Sequence, residues 1–202
     1  MIVDPVMLLA FIPAGLALNI TPGPDMLFCL AQGLKGGPRA GWAASTGVGL
    51  GGVVHVTLAG LGLGALVAAL PGAFDVIRWV GAAYLAWIAY KTLRTPLAGG
   101  DAPAMTPAKA LRQGFVVNLT NPKYILFVLA FVPQFVDPSR AVLPQFLVFG
   151  SLMILGGLVV NGLVGQFAGL LRQRLQGGTR TERTLRYLCA TLFGGLALRL
   201  AI

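Results

Sequence analysis

Two ionisable residues stand where this chain is otherwise apolar, and each directly follows a proline: Asp25 in "NITPGPD", Asn19 to Asp25, and Lys123 in "NLTNPKY", Asn118 to Tyr124. A carboxylate and an ammonium together complement the two ends of an amino acid, with Lys123 for its carboxylate and Asp25 for its ammonium. A charge at the centre of a bilayer costs on the order of 3 kcal/mol on insertion scales and usually marks function. A structural account competes with this one: Asp25 caps its own helix and Lys123 neutralises Asp25.

The same two stretches carry the means to position these charges. Pro22 and Pro24 each lack an N–H and clash with the preceding turn, and Gly23 adds backbone freedom. Asn121 is a good helix N-cap and Pro122 fits the first helical position. The spacing therefore predicts a helix that stops and restarts at each stretch, its new N-terminus turning free N–H groups and a positive dipole end into the protein, where a carboxylate is favoured. In hydrocarbon such a break survives only where it is buried in protein or lines a wet cavity. The polar residues Asn19, Thr21, Asn118 and Asn121 join Pro22, Gly23, Pro24 and Pro122 as expected substrate contacts.

The elements that must hold these breaks are membrane helices. Of the 202 residues, 56% are hydrophobic and only 10% charged, against roughly a quarter charged in soluble domains. Six apolar stretches are long enough to span a bilayer, at about 6–32, 41–70, 72–90, 113–136, 141–171 and 184–202. The first is expected to stay in place, because "MIVDP" lacks the basic start of a cleaved signal peptide. The net charge of +9 is not that of a nucleic-acid binder, since the basic residues fall in loops rather than on a polar folded surface. Eleven of the fifteen Lys and Arg, from Lys35 and Arg39 through Lys91, Arg94, Lys109 and Arg112 to Arg172, Arg174, Arg180, Arg183 and Arg186, lie on one side. By the positive-inside rule that side is cytoplasmic and both termini face outward.

The chain also reads as two copies. "NITPGPDMLFCLA" (19–31) and "NLTNPKYILFVLA" (118–130) agree at six of thirteen positions, and Gly15 matches Gly114. "LGGVVH" (50–55) resembles "LGGLVVN" (155–161), which sets His55 opposite Asn161, and "RWVGAAYLAWIAYK" (78–91) resembles "RYLCATLFGGLALR" (186–199). A unit of three spans is odd-numbered, so the second copy must enter from the opposite side. The expected fold is thus an all-α integral membrane protein of six transmembrane helices in two inverted three-helix repeats, helices 1 and 4 broken and side by side, an arrangement typical of secondary transporters. Residues 1–98 form the first repeat, 99–111 a basic cytoplasmic linker and 112–202 the second repeat. His55 and Asn161 are candidates for proton relay, substrate contact or a hydrogen bond across helices. The glycines at 47, 49, 51, 52, 60, 62 and 64 suit close helix packing.

No nucleophile elbow, P-loop or H-E-x-x-H is present, so neither an enzyme nor a cofactor is expected. No metal site is expected either, for His55 has no second ligand at suitable spacing. Cys29 and Cys189, both in apolar stretches, read as small buried hydrophobes. A membrane thiol–disulfide electron carrier is the alternative, although the two cysteines are not at equivalent positions of the repeat.

"PGPDMLF", "AAYLAWIAYKTLR" and "RQGFVVNLTNPKYILFVLAFVPQFV" together resemble the lysine-exporter (LysE/RhtB) family of bacterial inner-membrane amino-acid exporters, over nearly the whole chain. The family's helix-1 motif falls on Pro22, Gly23 and Pro24, and its helix-4 motif on Asn121, Pro122 and Lys123, closed by Pro133, Gln134 and Phe135. The resemblance implies multi-pass insertion in the inner membrane and efflux of amino acids or small derivatives, driven by proton antiport. The expected partners are a small zwitterionic substrate, protons and the lipid bilayer, with no nucleic acid, and a homodimer stays open. A divalent-cation exporter of the same superfamily is a further alternative.

Overall fold

The computed structural model describes residues 2–69, 73–94, 105–168 and 180–201, and the regular elements among them are all helical. Helix α1 (Pro5–Ile20) opens on Asp4, whose carboxylate accepts a hydrogen bond from the Val6 N–H at 2.8 Å. It stops at Thr21, where the backbone becomes extended (φ −70°, ψ 124°), and α2 (Pro24–Ala69) starts with Pro24 as its first residue. The break falls where Pro22 and Pro24 remove the N–H groups that would have continued the helix.

Between the first two apolar stretches the sequence suggests a loop around Lys35 and Arg39. The chain instead turns on one residue inside α2. Gly37 has φ 79° and ψ 179°, the one positive φ among the described residues, and Pro38 begins the second piece. Only glycine takes that conformation without strain.

Helix α3 (Ala73–Arg94) is followed by α4 (Pro107–Leu119), capped by Thr106. The helix therefore begins inside the stretch expected to be linker, and residues 99–104 of that linker lie outside those described. A second break at Thr120 and Asn121 leads into α5 (Pro122–Leu126), which runs on through a π-helical turn (Phe127–Phe131) and a 3-10 turn (Val132–Phe135). The arms on either side of the break meet at 50°. Helices α6 (Val142–Gln166) and α7 (Arg180–Ala201) complete the described chain.

By length and composition, two described helices can cross a membrane, Pro24–Gly62 and Val142–Gln166, and a third span is added if the bent pair Pro107–Leu119 and Pro122–Phe135 counts as one. The 25 residues of α6 reach about 38 Å, more than the ~30 Å of hydrocarbon. Side chains are distributed to match. Leu58, Leu61, Val76, Trp79 and Leu198 are exposed, whereas Thr21, Asp25, Gln32, Ser45, Asn118, Asn121, Lys123, Gln145 and Asn161 are buried. Apolar residues outside and polar ones within are what a lipid-facing helical body requires.

The second piece of α2 packs between α4 and α6, and glycine permits the close approach. A methyl group added at Gly47 would collide with the Leu111 carbonyl, and one at Gly165 would come 2.7 Å from Gly41 Cα. The packing role expected of the α2 glycines holds at 47, 51, 52 and 60, but not at 49, where an added methyl would make only an ordinary contact, or at 62, where it would meet nothing within 4 Å; the surroundings of position 64 lie outside those described. On the far side of the second break, Phe11, Phe131, Phe135 and Phe149 form an aromatic core with the rings of Phe11 and Phe149 4.9 Å apart. This core clamps α1 and α6 to the 3-10 turn and fixes the position of the second break relative to the first.

Candidate functional site

The two breaks meet. A helix carbonyl at position i accepts from the N–H at i+4, so Pro22 deprives the Leu18 carbonyl of its donor. Lys123, from the other break, supplies one: its Nζ donates to the Leu18 carbonyl at 3.2 Å and to the Thr21 carbonyl at 2.9 Å. An ammonium at the negative end of α1 is also favoured by the helix dipole. The second break differs. Pro122 cannot donate to the Asn118 carbonyl, which accepts instead from the Asn121 N–H at 2.9 Å, and His55 Nε2, 3.2 Å away, adds a second donor through its ring N–H. The hydrogen bond across helices is thus the role this geometry gives His55.

Around these bonds the rest of the site is fixed. The Asn121 carboxamide oxygen accepts from the Lys123 N–H at 3.1 Å, the N-cap expected from sequence. Asn118 Nδ2 donates to Asp25 Oδ2 at 2.9 Å, tying α4 to the start of α2. Thr21 Oγ1 donates to the Ala17 carbonyl at 2.7 Å, and Asn19 Nδ2 to the Met153 carbonyl at 3.1 Å. Gly23 leaves room for the lysine: a methyl there would sit 2.9 Å from Lys123 Nζ.

Asp25 and Lys123 share the wall of one cavity, with Asn19, Thr21 and Asn161. Its volume is about 20 Å³, room for a water molecule but not for an amino acid. Any larger ligand therefore requires the surrounding helices to part. Three polar atoms of lining residues have no hydrogen-bond partner: Asp25 Oδ1, Asn161 Oδ1 and the Tyr124 hydroxyl. Buried groups of this kind are costly unless a ligand or water completes them.

Of the residues expected from sequence, Asn19, Thr21, Asp25, Lys123 and Asn161 line this cavity. Pro22, Gly23, Pro24, Asn118, Asn121 and Pro122 shape the breaks behind it, and His55 faces a separate apolar groove with Leu58, Ala59, Gly62, Ile125, Val128 and Leu129. Sequence reasoning missed Tyr124, Leu18, Met26, Val48, Gly49, Met153, Ile154, Gly157 and Leu158, which complete the lining. Tyr124 carried a signal in its place beside Lys123 at a helix start; the apolar residues carried none. Among the described residues, no three His, Cys, Asp or Glu side chains form a group that could hold a metal ion.

The family model of LysE type translocators matches residues 16–202. An uncharacterized membrane protein of Vibrio cholerae is 38% identical over 168 residues, covering 81% of this chain and 82% of its own. The leucine efflux protein of an Enterobacter species is 33% identical over 196 residues (90% of this chain, 89% of its own), and the homoserine/homoserine lactone efflux protein of Salmonella typhimurium is 32% identical over 156 residues (75% of each). No solved structure matches. The match of the family model to nearly the whole chain, together with a lipid-facing helical body around two broken helices, establishes that this is a multi-pass membrane protein belonging to the LysE type translocator family.

Proposed function

We propose that the protein exports amino acids or small amino-acid derivatives across the bacterial inner membrane as a secondary transporter, with protons as the counter-ion. The observation that carries this reading is the cavity itself: opposite charges, Asp25 and Lys123, reach it from two helix breaks about a hundred residues apart. Relatives named for efflux of leucine and of homoserine or its lactone support the substrate class. On opening, Lys123 exchanges its backbone carbonyls for the substrate carboxylate, and Asp25 takes the ammonium.

The reading includes six spans in two inverted repeats. It is supported by reciprocal contacts: Asn118 packs against Gly51, and its sequence counterpart Asn19 packs against Gly156 and Gly157, the counterparts of Gly51 and Gly52. The reading also puts both termini outside. Single cysteines near positions 73 and 138 should then react with a membrane-impermeant maleimide added to intact cells, and those near 37 and 176 should not; the reverse pattern would overturn the orientation.

Expression in a host sensitive to excess amino acids tests the function. Cells expressing the protein should tolerate single amino acids or toxic analogues that arrest the parent strain, and should release them faster when preloaded. The thiol–disulfide reading finds no support at Cys29, which is wholly buried among Ala40, Ala44, Val48 and Ala110, the setting of a small hydrophobe rather than an exchanging thiol. Cys189 is on α7, its side chain outside those described. The Cys29→Ala, Cys189→Ala double variant is expected to export at the normal rate; loss of export with normal insertion would revive the redox alternative.

A further inference from the structure

Gly49 differs from the glycines around it. A methyl added at Gly47, Gly51, Gly52 or Gly60 would collide with a neighbour, but at Gly49 it would meet only Ile154 Cγ2, at 3.6 Å, an ordinary contact. The backbone there is right-handed helix, which does not call for glycine. Glycine in a helix interior costs about 1 kcal/mol relative to alanine. Neither packing nor conformation accounts for its presence, but its position does: Gly49 lines the cavity that holds Asp25 and Lys123.

Part of the remaining wall is apolar. Met26, Val48, Met153, Ile154 and Leu158 line it, and the two methionines add thioethers that adapt to irregular shapes. Three polar side chains in the same wall, Asp25, Tyr124 and Asn161, each 6% exposed, have an oxygen without a partner. When the helices part, the same wall presents polar groups to the ends of a substrate and, at Gly49 and Ile154, an apolar surface to a hydrocarbon group.

We propose that Gly49 and Ile154 set the size limit for the side chain of the exported molecule, and that this side chain is uncharged and apolar. This rests on the cavity being the substrate site. One negative and one positive residue are matched by the two ends of a zwitterion. A basic or acidic side chain would bring a third charge for which no ionisable residue of the cavity wall is a counterpart.

The test is export from cells preloaded with radiolabelled alanine, leucine, methionine, phenylalanine and lysine, with rates normalised to protein in the membrane. The wild type should release leucine or methionine at least about ten times faster than lysine. Gly49→Ala should lower leucine release about tenfold relative to alanine, the scale of one misplaced methylene in an apolar pocket. Ile154→Ala should shift preference the other way, toward phenylalanine, and so tests the idea independently of how well Gly49→Ala accumulates. Lysine released as fast as leucine overturns the proposal, as does a Gly49→Ala defect equal for all substrates or an unchanged order of preference in both variants. If the wild type releases none of the five, the reading of the protein as an amino-acid exporter fails first, an outcome distinct from these.

Discussion

A protein carrying Asp25→Asn and Lys123→Gln together is expected to reach the membrane at close to the normal level and to export nothing. Removing both charges leaves no unpaired ion in the cavity, and the replacement amides are near in shape. The introduced asparagine can still accept from Asn118, and the introduced glutamine retains an N–H₂ group toward the end of α1, where the lysine donates to Leu18 and Thr21. What is lost is the complementarity to a zwitterion. Truncating one partner of a buried charge pair costs about 2–5 kcal/mol, so each single variant should lose export on the order of a hundredfold or more. The single variants should also separate the two roles of the lysine. Lys123→Met strips donors from two carbonyls at a proline break and should lower the amount of folded protein, whereas Lys123→Gln should spare it. Export at the wild-type rate from the double variant would show that the charges serve packing alone.

The second large effect is expected where glycines let helices touch. Gly47→Ala and Gly165→Ala should each destabilise the protein by about 3 kcal/mol, the upper part of the range for overpacking. In a detergent-solubilised sample that corresponds to a fall in the unfolding midpoint of about 10 °C, and in cells to loss of the protein from the membrane. The reason is that the obstructing atoms are backbone: the Leu111 carbonyl at Gly47 and Gly41 Cα at Gly165. A backbone atom cannot rotate aside as a side chain can. Gly62→Ala is the control, since nothing lies within 4 Å of the added methyl. It should match the wild type or exceed its stability slightly through better helix propensity. Equal tolerance at positions 47 and 62 would mean that α2 and α4 are less tightly packed than described.

Sequence alone determined the features that depend on a residue's own chemistry. A proline lacks its N–H wherever it stands, so Pro22, Pro24 and Pro122 announced both breaks, and Asn121 announced its cap. The same holds for the apolar stretches and for the oddity of Asp25 and Lys123 among them. The corner at Gly37 was less legible, because a polar, basic stretch reads as a loop although one glycine in the left-handed region suffices to turn the chain.

The tertiary structure alone decided which groups fill the deficits the prolines create. The Leu18 carbonyl lost a donor four residues away and gained one from Lys123, 105 positions along the chain; the Asn118 carbonyl, which Pro122 cannot serve, accepts from the neighbouring Asn121 N–H and also from His55, 63 positions back. It also separated Gly47, which packing demands, from Gly49, which packing does not, since both are glycines on one helix. A missing hydrogen bond is a local property and is written in the sequence where it occurs. The partner that restores it, and the cavity left between partners, depend on how closely helices distant in sequence approach, and that distance is set by side-chain volumes on every element at once.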